Sequence, residues 1–150
     1  MDQKLKDLVR RKQKQSEGGP KIDWDERRDT YLKAVHDLYS RIEEVLAEPI
    51  EDHTVHRRRS SKDLTEDFIG TYAVDDLILW FGDEQVRFSP RGRNILGAEG
   101  RVDVIGERGV AHLIFDGATW RVIQSRQPTL RTAPLDEGVI ADMFNSVMRD

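Results

Sequence analysis

Between Leu77 and Ser125, apolar and polar residues alternate in short runs, and most runs stop at a glycine-containing corner. Leu77-Ile78-Leu79-Trp80-Phe81 gives way to Gly82-Asp83-Glu84-Gln85, and Val86-Arg87-Phe88 follows. Arg101 to Ile105 ends at Gly106-Glu107-Arg108-Gly109. Val110 to Phe115 ends at Asp116-Gly117, and Thr119 to Ile123 closes the series. Side chains of a strand point alternately to its two faces, so this rhythm predicts an antiparallel meander with one face buried. Asp116-Gly117 predicts a two-residue hairpin.

Two amphipathic helices flank the meander. Asp23 is placed to cap a helix over residues 23–48, with Glu26 three positions on. Tyr31, Val35, Leu38, Ile42 and Val45 form its apolar stripe, widened by Leu32, Tyr39 and Leu46. Pro49 disfavours helical geometry at Glu48 and places the stop there. A second helix over residues 136–149 presents Ile140, Met143, Phe144, Val147 and Met148 on one face. The predicted fold is α+β, with an antiparallel sheet of about five strands, open or curled into a half-barrel, covered by both helices. Trp120 is expected beneath the C-terminal helix.

The segments outside this frame are less regular. Residues 1–16 read as a charged helix whose apolar patch is Leu5, Leu8 and Val9 alone, and the tract around Gly18-Gly19-Pro20 breaks it. Residues 1–20 are therefore expected to be a mobile arm or one held by a partner, and residues 21–150 a single domain. Thr54–Arg59 suits an edge strand blunted by arginine, Ser60–Asp63 a loop, and Leu64–Ile69 a helical turn or a lead-in to Thr71–Val74. Ser89–Gly100 is 12 residues long, beyond the ~2–5 of an ordinary hairpin connection.

Composition narrows the function classes. The chain of 150 residues contains no cysteine, which removes disulfides and thiolate chemistry and fits a reducing, cytoplasmic setting. Its basic N-terminus lacks the apolar core of a secretory signal, and no apolar run nears the ~20 residues that span a bilayer. The net charge of −4 is laid out in blocks: residues 1–21 carry +4, residues 22–52 carry −6, His53–Lys62 carries +4 and Asp63–Gln85 carries −7. Such blocks pair within a fold or between chains and do not by themselves imply a polyanion.

Signatures of catalysis are sparse. There is neither a Gly-x-Ser-x-Gly elbow nor a phosphate-binding Gly-Lys-Ser/Thr loop. The adjacent carboxylates Glu66-Asp67, Asp75-Asp76 and Asp83-Glu84 would face apart on strands and suit turns better than acid–base pairs. His53 and His56 would likewise diverge on a strand. His112 is expected to face inward as a satisfied histidine. A metal-dependent hydrolase would need Asp103, Glu107 and His112, but no lysine follows Lys62 to complete a nuclease-type set.

The leading expectation is a non-enzymatic protein–protein interaction module, as a homodimer or a small subunit of an intracellular complex, with no cofactor, no metal and no membrane span. The expected binding surface is the 89–100 loop, through Arg91, Arg93, Asn94 and Arg101. Nucleic acid or another polyanion gripped by the same arginines is the rival. The counter-reading has Arg91 and Arg93 folded back on Asp103, Glu99 or the acidic helix.

Overall fold

A computed structural model describes the backbone of residues 2–18, 22–92 and 99–150. The chain is α+β: seven antiparallel strands in the order β1-β2-β3-β4-β5-β6-β7 form one open sheet, accompanied by four helices. Helix α1 spans Gln3–Gly18 and carries the helix expected over 1–16 two residues further.

Helix α2, Trp24–Val45, starts where its cap predicts. The Asp23 carboxylate accepts the Glu26 N–H at 3.0 Å, and Asp25 and Glu26 lie at the positive end of the helix dipole. It buries Tyr31, Ala34, Val35, Leu38, Tyr39 and Ile42 along one stripe. The stop comes earlier than Pro49 implies. The chain breaks at Leu46 and restarts as the short α3, Ala47–Glu51, with Pro49 as its third residue. In a first turn the N–H that proline lacks would have no intrahelical acceptor, so proline is tolerated there.

The sheet has two more strands than the alternation announces. Strand β1, Val55–Glu66, and strand β2, Gly70–Phe81, pair without a break from Val55↔Phe81 to Glu66↔Gly70. Ser60–Asp63 is therefore strand, not loop, and Leu64 to Glu66 is its end, not a helical turn. Its register is set by β2, since β1 has few apolar residues of its own. Strands β3 (Glu84–Gly92), β4 (Gly100–Ile105), β5 (Val110–Phe115) and β6 (Trp120–Ser125) continue the meander, and the four-residue β7, Arg131–Pro134, closes it. The β5–β6 connection is longer than two residues. Phe115 pairs with Trp120, and the Asp116 carboxylate accepts the N–H groups of Ala118 and Thr119 at 2.9 and 2.8 Å.

Helix α4, Glu137–Val147, is capped by Asp136, whose carboxylate accepts the Val139 N–H at 2.8 Å. Its Phe144 ring packs edge-on against Phe81 and Phe88, and Ile140, Met143 and Val147 are buried beside it. The core joins these side chains to the α2 stripe and to Leu77, Leu79, Val86, Phe88, Val102, Val104 and Leu113. Trp120 is buried as expected, but beneath the other helix: its Nε1–H donates to the Ala34 carbonyl of α2 at 2.8 Å. No helix among the described residues is long and apolar enough to cross a membrane.

Candidate binding surface

The sheet forks. Strand β2 pairs with β3 only from Phe81↔Glu84 to Leu77↔Phe88, while β3 runs on beside β4 as far as Gly92. Residues Gly70–Asp76 of β2 pair with β1 alone. Two tyrosines of α2 sit where backbone partners are lost. The Tyr39 hydroxyl lies 2.6 Å from the Asp75 carbonyl and 3.3 Å from the Phe88 carbonyl, one on each side of the fork. The Tyr31 hydroxyl accepts the Gly92 N–H at 3.1 Å and donates to the Arg101 carbonyl at 2.8 Å, across the register shift between Pro90 and Gly92. Burial pushes both phenols well above the usual tyrosine range; the Gly92 N–H lowers Tyr31 in part, while the charge of Asp76 raises Tyr39 further.

Polar side chains fill the fork. The Lys62 ammonium lies 2.8 Å from Asp76 Oδ1 and donates to Ser89 Oγ at 2.7 Å, and Arg87 Nη1 donates to Asp76 Oδ2 at 2.9 Å. One row further along the sheet Ser89, Asp103 and His112 stand opposite one another on β3, β4 and β5. Alternation turns them away from the core residues Phe88, Val102, Val104 and Leu113. His112 therefore faces outward, contrary to the expectation of an inward side chain, and its bond to Asp103 satisfies it.

Asp103 gathers three donors. Arg101 Nε and Nη2 bind its two oxygens at 2.7 and 2.9 Å, His112 Nδ1 lies 2.8 Å from Oδ1, and Arg91 Nε lies 3.1 Å from Oδ2. Burial alone would raise its pKa; the hydrogen bonds and charges of Arg101 and His112 outweigh that and hold the carboxyl below the usual range. The structure thus places Arg91 on β3 and Arg101 on β4, both anchored on one carboxylate, in keeping with the folded-back reading. Ser89–Gly92 and Gly100 belong to β3 and β4, so the expected 12-residue loop is shorter at both ends, while Arg93 and Asn94, with the rest of 93–98, lie outside the described residues.

Of the hydrolase set, Asp103 and His112 meet, whereas Glu107 pairs with Arg149 at 2.6 Å. Among the described residues no group of three histidines or carboxylates is placed to hold a metal ion. His53 and His56 come together against expectation, their rings stacked 6.3 Å apart, because His53 precedes the strand and has a φ of 65°.

A second surface was not read from the sequence. Phe68, at the tip of the β1–β2 hairpin, has a φ of 70° and is 82% exposed. Its ring stacks on Trp24 at the start of α2, 5.4 Å between centroids, with the Arg27 guanidinium over the same indole. Ile22, just before Trp24 in the chain, is exposed, and on α1 the side chains of Leu5, Leu8 and Val9 are all uncovered. The available signal was an aromatic residue directly after the acidic pair Glu66-Asp67 and just before the turn glycine Gly70. No family model, curated protein or solved structure matches the chain.

Proposed function

We propose that the protein is a non-enzymatic interaction module, a small subunit that docks onto another protein. The observation that supports this is where its uncovered apolar groups lie. Five of the seven large exposed hydrophobics among the described residues are Leu5, Leu8, Val9, Ile22 and Phe68, which confines them to α1, the start of α2 and one hairpin tip. Leu5, Leu8 and Val9 adjoin on α1 and Phe68 stacks on Trp24, and contiguous exposed apolar groups of this kind mark interaction sites. The phenylalanine is held in a backbone conformation that costs energy for a residue with a Cβ, and such outliers gather at functional positions.

The test is a photo-reactive amino acid in place of Phe68, illuminated in cells of the native host. A discrete heteromeric adduct that disappears with Trp24→Ala supports the reading. Background labelling alone, equal in both forms, would remove it.

A second reading rests on charge. Asp76 meets Lys62 and Arg87, and Asp103 meets Arg91 and Arg101, so each of these two buried carboxylates is matched by two cationic groups. The surplus positive charge favours an anionic ligand on this face. Retention on heparin with a steep salt slope, weakened by Arg91→Ala, supports it; elution at low salt with no change in the variant counts against it.

A further inference from the structure

The two edges of the sheet are built differently. β7 is four residues long and ends in Pro134, which has no N–H to offer a neighbour. Short strands and prolines are common devices for keeping an edge unpaired. β1 has neither. It runs for 12 residues, pairs only with β2, and shows no backbone bond on its other side among the described residues. At ~3.3 Å per residue that edge is about 40 Å of open backbone donors and acceptors.

Charge decides what fits there. Along Val55–Glu66 four basic residues, Arg57, Arg58, Arg59 and Lys62, outnumber two acidic ones, Asp63 and Glu66, and the basic ones come first in a run. Arg57 and Arg59 share one carboxylate, Glu43 of α2, and Arg59 approaches it at 2.6 Å. Arg58 alternates to the other face and is exposed. A second β1 laid alongside in parallel register would bring arginine against arginine, and laid antiparallel over its full length it would set Arg59 against Lys62; like charges directly opposite on neighbouring strands are destabilising. A strand with carboxylates would find complementary charge on both faces. We infer that β1 is a docking edge for an extended, acidic segment of another protein, which adds an eighth strand to the sheet. The Phe68–Trp24 stack lies just past Glu66, at the end of that edge, and gives an apolar side chain of the segment somewhere to rest. Strand addition of this kind takes its affinity from backbone hydrogen bonds and its selectivity from alternate side chains.

This inference rests on the interaction reading and names its partner's chemistry. The probe is a short synthetic peptide of alternating Glu and Val, added to the purified full chain. It should bind saturably, more weakly as salt rises, and should slow amide hydrogen exchange in Val55–Glu66. Arg58→Glu, an exposed change, should weaken binding about tenfold with an unchanged melting temperature. The same peptide N-methylated at alternate residues should not bind, since it keeps the charge and loses the donors. Equal binding of the methylated peptide, or of one with Lys for Glu, would overturn the inference. So would β1 amides that are already protected in the free protein as its mass doubles with concentration, which would make the occupant a second copy. Failure here with a persistent Phe68 adduct leaves the interaction reading standing; loss of both removes it as well.

Discussion

Helices α1 and α2 are both rich in charge, yet they stand in opposite relations to the rest of the molecule. α2 buries six side chains and sends two phenol groups into the sheet. On α1 every described side chain from Asp2 to Lys12 is exposed. The difference lies in the width of the apolar stripe. α2 repeats an apolar residue every three or four positions over most of its length, whereas α1 does so for a single turn, Leu5 to Val9. Packing of such a face, more than intrinsic propensity, stabilises most helices in proteins. By that criterion α2 is part of the core, whereas the described side chains of α1 contribute nothing to it.

The sharpest way to break this contrast is to cut into the stripe of α2. Ile42 is fully buried, so Ile42→Ala should lower stability by about 2–5 kcal/mol in urea denaturation. A midpoint that does not move would mean that α2 rests on the sheet without holding it. The next effect comes from alkali. The Tyr31 and Tyr39 phenols are raised in the folded state, so the stability they contribute is complete below the unfolded value of about 10 and declines above it. The decline should reach about 1.4 kcal/mol per pH unit for each tyrosine, and the rise in tyrosinate absorbance should follow unfolding. Ionisation of every tyrosine near pH 10 in a still-folded chain would contradict the buried geometry.

Tyr39→Phe isolates the fork. It keeps the ring packed edge-on against Phe88 and removes only the hydroxyl between two carbonyls. The expected cost is about 1–2 kcal/mol, with faster exchange of amides in Gly70–Asp76. An unchanged exchange pattern would show that the phenol does not tie the arm to β3. The smallest effect belongs to α1. Leu8→Ser should change stability by no more than about 0.5 kcal/mol, and a chain starting at Lys21 should melt cooperatively at nearly the same temperature. A large drop in either would place α1 inside the folded unit.

The same contrast explains what was legible in the sequence. Helices α2 and α4 and the strands from Leu77 to Ser125 could be read because their own residues carry the period of the buried face. β1 could not. Between Val55 and Glu66 only the two residues Val55 and Leu64 are hydrophobic, so its pairing is dictated by β2 and its continuation through Ser60–Asp63 was mistaken for a loop. The fork was hidden for a different reason. It depends on hydroxyls reaching the sheet from a helix, Tyr31 to the Arg101 carbonyl across 70 positions of chain, and no local pattern records such a contact. Arg91 and Arg101 were singled out for their chemistry, and the structure gathers both on Asp103 because β3 and β4 are neighbours. The exposed Phe68 was passed over because a lone aromatic just before a turn has no period to reveal it.

The order of the strands also bears on how the chain reaches this state. Every pair in the sheet joins neighbours in sequence, from β1 with β2 to β6 with β7. Each hairpin closes a short loop, so the entropy spent before the first contacts form is small, and topologies rich in local contacts fold quickly for their size. The distant contacts are those of the helices, α2 with Arg101 and Trp120 and α4 with Phe81 and Phe88. Strand zipping and helix docking are therefore separable events, and substitutions at the helix–sheet seam should speed unfolding more than they slow folding.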